Sequence, residues 1–78
     1  MISFKRGDRV ACTRAFLQSI QDIHSGHMRG TVIGTAEHPR EGYPAIIQLH
    51  WDNTPEEDRF STLETNLINV KDLHKELN

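Results

Sequence analysis

The chain has 78 residues, one cysteine and a formal net charge of −2. This length predicts a single domain, residues 1–78, and a lone cysteine excludes an internal disulfide. No apolar run approaches a membrane span and the N-terminus has no signal-peptide pattern, so the sequence predicts a cytoplasmic protein without membrane contact.

The first predicted strand covers residues 8–13. Its residues alternate, so that Val10 and Cys12 share one face while Arg9 and Ala11 share the other. This pattern is typical of a half-buried strand with its first face in the core.

Residues 15–23 change to helical spacing. A helix here would have one apolar stripe, formed by Phe16, Leu17, Ile20 and Ile23. Because so short a helix is marginal in water, we expect it to lie against the strands that precede and follow it.

Two further strands flank a long loop. Residues 29–36 predict the second strand, in which Gly34 marks a bulge or a close backbone approach. Residues 37–44, with two prolines and a glycine, predict the loop. Residues 45–52 give the clearest alternation: one set is apolar (Ile47, Leu49, Trp51) and the other mixed (Ile46, Gln48, His50).

The C-terminal part is built from shorter runs. An acidic turn at residues 52–58 precedes a fourth strand with Phe60 and Thr62. Residues 63–66 predict a 3-10 turn, residues 67–70 a fifth strand, and residues 70–77 one or two frayed helical turns. The predicted core comprises Val10, Cys12, Val32, Ile47, Leu49, Trp51, Phe60 and Leu67.

Five short strands separated by glycine, proline and charged breaks predict an all-β fold, a small closed barrel. The motifs Gly7-Asp8-Arg9-Val10, Gly30-Thr31-Val32-Ile33-Gly34 and Trp51-Asp52 resemble those of SH3-like barrels. The pattern is similar to a small accessory protein of photosystem I, to the type II dihydrofolate reductases and to short uncharacterised proteins of bacteria, phages and mobile elements. Over about residues 7–70 this resemblance implies a five-stranded SH3-like barrel with a short helical insertion between strands 1 and 2.

The resemblance to the type II reductases includes Glu41-Gly42-Tyr43 before the third strand. Those enzymes build their active pore from a Val-Gln-Ile-Tyr run on a late strand. Here the corresponding strand reads Arg59-Phe60-Ser61-Thr62-Leu63, so the catalytic residues do not carry over. We therefore expect no enzyme, and a reductase-like activity is the second alternative.

Other chemistry-bearing residues give no convincing site. His24 and His27 could form a metal site only with further ligands such as Cys12 or His38, and no second paired motif supplies them. The acidic run at residues 56–58 is typical of a solvated turn. The sequence thus predicts no catalytic residue, no metal and no cofactor.

The preferred hypothesis is a non-enzymatic interaction module that binds a protein partner or associates with itself as a homo-oligomer. Its contact residues would be the apolar stripe and the third strand: Phe16, Leu17, Ile20, Ile23 and Ile46. The alternative is a nucleic-acid-binding barrel that uses Arg9, Arg14 and Arg29, with Phe16 or Tyr43 as a stacking ring.

Overall fold

The computed structural model describes residues 2–22 and 26–77. It contains five strands: β1 (Arg9–Cys12), β2 (Gly30–Ala36), β3 (Ile46–Trp51), β4 (Phe60–Leu63) and β5 (Leu67–Asn69). One antiparallel sheet holds them in the order β4-β3-β2-β1-β5. The predicted all-β fold of five strands is confirmed.

A short helix, α1 (Arg14–Ser19), lies between β1 and β2, as predicted. Thr13 caps it, since its hydroxyl oxygen accepts a hydrogen bond from the Phe16 N–H at 3.1 Å. The helix ends earlier than the apolar stripe predicted, because Gln21 takes a left-handed backbone conformation with φ 57°. Ile23, the last residue of the predicted stripe, lies outside the described residues.

The β2–β3 ladder contains the irregularity that the sequence predicted. Its register shifts between Val32 and Gly34, which makes a β-bulge there. At the other end of β2, Gly30 lies against the core so closely that a Cβ atom would be 2.9 Å from Leu49 and from Trp51. The inner face of the sheet is therefore tightly packed at that end.

The core sits on one face of the curved sheet. Five of the eight predicted core residues are buried: Val10, Val32, Ile47, Leu49 and Leu67. Phe4, from the segment before β1, joins the same cluster although the sequence did not single it out. Trp51 is partly buried and packs against the cluster, while Cys12 is half-buried.

Two predictions about burial are wrong. Phe60 is 41% exposed, because it opens β4, which forms one margin of the sheet. Ala11 is fully buried, although the alternation placed it on the outer face of β1. A 3-10 helix at Val70–Leu77 packs against β1 and β5, so β1 is covered more completely than a half-buried strand.

The sheet is strongly curved. Its margins are β4 and β5, which a flat sheet would hold about 19 Å apart. Yet only a 3-10 turn, Glu64–Asn66, connects Leu63 to Leu67, and that stretch of chain reaches about 14 Å at full extension. The ladder stays open, since no pairing joins β4 to β5 in the described part of the chain.

Candidate binding face

The 3-10 turn Glu64–Asn66 connects two surface features at one end of the sheet. At its start, the Glu64 N–H donates to the Ala45 carbonyl oxygen at 2.8 Å, which fixes the turn beside the β2–β3 loop. At its end, the Asn66 carbonyl oxygen accepts from the Thr13 N–H at 3.0 Å, next to the start of α1. The β2–β3 loop and α1 thus flank one turn.

On the loop side of the turn lies a cleft of about 240 Å³. Its apolar lining comes from Ile2, Pro44 and Ala45, and we call it the Tyr43 cleft after the aromatic residue in its lining. The Glu64 carboxylate faces the same space and accepts a hydrogen bond from the Ser3 N–H. The N-terminal segment is thereby held as one wall.

Three of the residues that line the cleft belong to the β2–β3 loop and contact one another. The rings of His38 and Tyr43 are stacked, with centroids 4.7 Å apart and planes inclined by 26°. The Arg40 guanidinium carbon lies 5.6 Å from the centroid of the Tyr43 ring. His38 Nδ1 also accepts a hydrogen bond from the Arg40 N–H at 3.0 Å. The Tyr43 ring is therefore held by contacts within the β2–β3 loop.

On the α1 side, the predicted apolar stripe is divided between core and surface. Leu17 is buried and Phe16 is half-buried, whereas Ile20 remains 49% exposed. Tyr43, on the other side of the turn, is 51% exposed. We call Phe16, Ile20, Tyr43 and the turn Glu64–Asn66 the binding face.

Ile46 lies on a separate surface from the stripe, the outer face of β3. It is half-buried and contributes to a shallow groove of about 260 Å³ with Gly34, Gln48 and Ser61. This groove is neutral and open. The structure therefore assigns four of the five predicted contact residues to three places: core, binding face and outer groove. The fifth, Ile23, lies outside the described residues.

The three arginines of the nucleic-acid hypothesis have different surroundings. Arg9 forms an ion pair with Asp52 and donates a hydrogen bond to Thr31 Oγ1 at 2.7 Å. The hydrogen bond between Arg9 and Asp52 raises the pKa of Arg9 and lowers the pKa of the Asp52 carboxyl group. The Arg9 charge is thus matched by a carboxylate on the protein itself.

The other two arginines differ in their exposure to solvent. Arg29 is half-buried and its Nη1 donates to the carbonyl oxygens of Gly26, at 2.9 Å, and Met28, at 2.8 Å. Arg14 is exposed on α1. These hydrogen bonds give Arg29 a structural role in the loop before β2.

Sequence reasoning considered His38 only as a metal ligand and Tyr43 only as a stacking ring, and it missed Arg40. A signal was present, since an aromatic residue stands among charged residues in a loop fixed by Pro39 and Pro44. Within residues 2–22 and 26–77, no three His, Cys, Asp or Glu residues converge into a possible metal site.

Comparisons of the chain with protein-family models, with curated proteins and with solved structures find no match. In the part of the chain that the structure describes, no helix has the length and apolar character required to cross a membrane.

Proposed function

We propose that this protein is an SH3-like barrel that acts in the cytoplasm as a non-enzymatic module for binding a protein partner. The strand order supports the barrel, because β5 returns beside β1 while β4 ends only one 3-10 turn away. The hydrogen bonds of that turn to Ala45 and Thr13 support it further, since they fix the short connection between the two margins beside the ends of β3 and β1. A curved sheet of this size places its loops at the ends, where they are free to make contacts.

The observation that carries the proposal is the exposure of Ile20 and Tyr43. Each residue is about half exposed, Ile20 just after α1 and Tyr43 in the loop before β3. Large apolar side chains in such positions gain free energy when a partner removes them from water. Aromatic residues with a polar tip, such as Tyr43, are also enriched at protein interfaces.

The nucleic-acid alternative has weaker support. Two of its three arginines, Arg9 and Arg29, already donate hydrogen bonds to a carboxylate or to backbone carbonyls. A phosphate would have to compete with those contacts, and the overall charge of −2 opposes its approach.

The proposal is tested by selecting linear peptides from a display library on the immobilised protein. We expect an enriched family of peptides whose affinity falls at least tenfold with Ile20→Asp or Tyr43→Ser. Gln18→Asp is the matched control for Ile20→Asp, because it adds the same charge at an exposed position of α1 two residues earlier and should leave binding unchanged. No enriched peptide, or equal binding by all variants, would refute the proposal.

Self-association is the other form of this function and is measured separately. Sedimentation over a range of concentrations would detect a dimer, and Ile20→Asp should abolish it if the binding face is buried between two copies. In that case the partner is a second copy of this chain. A dimer that Ile20→Asp leaves intact would assign self-association to another surface.

A further inference from the structure

We infer that the Tyr43 cleft receives a basic side chain, an arginine or a lysine, from the protein partner. This inference rests on the proposed function and specifies the chemistry of the partner. It follows from three properties of the cleft: its charge, the apolar residues in its lining and the exposure of its aromatic ring.

The first property is an excess of negative charge. Glu37, Glu41 and Glu64 line the cleft, and Arg40 is the one lysine or arginine among its lining residues. Within the described part of the chain the ion pairs are Arg9–Asp52 and Lys75–Asp72, so neither Glu37 nor Glu41 has an ion-pair partner there. A cation entering the cleft is attracted by both carboxylates, whereas a phosphate is repelled.

The second property is the presence of apolar residues beside the charged ones. Ile2, Pro44 and Ala45 line the same cleft as the three glutamates. Arginine and lysine side chains match this lining, because their methylene stems pack on apolar surface while their charged ends reach polar surroundings. A small inorganic cation would gain nothing from the apolar residues.

The third property is the presentation of Tyr43. Its ring is half exposed and is fixed by the stack on His38. The guanidinium carbon of Arg40 lies 5.6 Å from the centroid of this ring, so one cation already contacts it. The partner's side chain would lie alongside Arg40, with Glu37 and Glu41 offsetting the repulsion between the two cations.

The experiment titrates the ¹⁵N-labelled full chain with a defined probe, an acetylated and amidated pentapeptide of alanines with a central arginine. The matched probe replaces that arginine with citrulline, which keeps the shape and removes the charge. We expect the arginine peptide to shift the backbone amides of Gly42 and Tyr43, and the shift to weaken as salt is added. The citrulline peptide should bind several-fold more weakly.

Paired charge variants then locate the site. Glu37→Gln with Glu41→Gln should weaken binding of the arginine peptide roughly five- to tenfold, as expected for the loss of two exposed ion pairs. Glu56→Gln with Glu57→Gln changes the net charge equally in an exposed turn outside the cleft, and should leave the affinity within about twofold. Both variants replace exposed side chains and should melt like the wild type.

Several results would overturn the inference. These are no shift with the arginine peptide, equal shifts with citrulline, or equal losses in the two charge variants. An amide chemical shift of Gly42 that changes with protein concentration in the absence of peptide would also overturn the inference, because the cleft would then bind a second copy of this chain. If library peptides bind the binding face but need no basic residue, the inference fails while the proposed function stands; if no peptide is selected, the proposed function fails.

Discussion

Replacing Gly30 with alanine should destabilise the protein, although glycine is usually a poor strand residue. The added methyl group would lie 2.9 Å from both Leu49 Cδ1 and Trp51 Cε3, and 3.1 Å from the His50 carbonyl oxygen. Carbon atoms in contact prefer about 3.5–4.0 Å, so the new atom overlaps three neighbours. One of them belongs to the backbone and another to a rigid ring, which limits relaxation.

The magnitude follows from two opposing terms. Overpacking a core in this way typically costs about 1–3 kcal/mol. Replacing glycine reduces the entropy of the unfolded chain and returns about 0.4–1 kcal/mol. The central values of the two terms give a net loss of about 1.3 kcal/mol, a substantial share of the roughly 4–12 kcal/mol typical of a domain of this length. For this size the melting temperature should fall by about 5–10 °C.

Gly34→Ala is the matched control for Gly30→Ala. Gly34 lies on the same strand, β2, but its added methyl group would meet only the flexible end of Gln48, at 3.6 Å. The lower entropy of the unfolded chain then stabilises the protein without an opposing clash, so the melting temperature should stay equal or rise slightly. Thermal unfolding followed by circular dichroism compares the two variants. If Gly30→Ala melts at or above the wild-type temperature, the close approach deduced for this strand is wrong.

Three further predictions concern single side chains. Asp52→Asn should lower the free energy of unfolding at neutral pH, because Arg9 lowers the pKa of Asp52 in the folded protein. The stability difference from the wild type should be complete well above the unfolded pKa of about 3.8 and vanish as the pH falls through the lower folded value, and a difference independent of pH would contradict the ion pair. In urea unfolding, Phe60→Ala should lower the free energy of unfolding by less than about 1.5 kcal/mol, and Leu49→Ala by about 2–5 kcal/mol, because Phe60 is exposed and Leu49 is buried. Equal losses would contradict the assigned burial. Burial raises the pKa of the Cys12 thiol, so iodoacetamide at pH 7.5 should alkylate the native protein more slowly than the unfolded one. Equal alkylation rates would contradict the burial of the thiol.

The fold was largely predictable, because it depends on local patterns. Alternation identified the inward faces of β2 and β3, and the glycine at position 34 identified the bulge. The position of the short helix and of the 3-10 turn also followed from spacing. Such features depend on side-chain periodicity and on backbone preferences, and a linear sequence displays both.

The candidate site was much less predictable. The sequence showed that Phe16, Leu17 and Ile20 form a stripe, but not that Leu17 enters the core while Ile20 stays half exposed. Nothing local indicated that Glu64 would face the loop around Tyr43, more than twenty residues earlier. That cleft exists because the turn bonds to Ala45, a contact between distant parts of the chain.

The sequence by itself determined which segments become strands and which of their faces are apolar, since these follow from the period of two and from the turn residues. Tertiary structure alone decided which apolar residues are covered. Phe60 has the pattern of a core residue and is exposed because its strand is at the sheet margin, while Ala11 has the pattern of a surface residue and is buried in a strand against which the C-terminal helix packs. Burial depends on what neighbouring elements remove from water, and the neighbours of a strand are set by how the whole sheet curves.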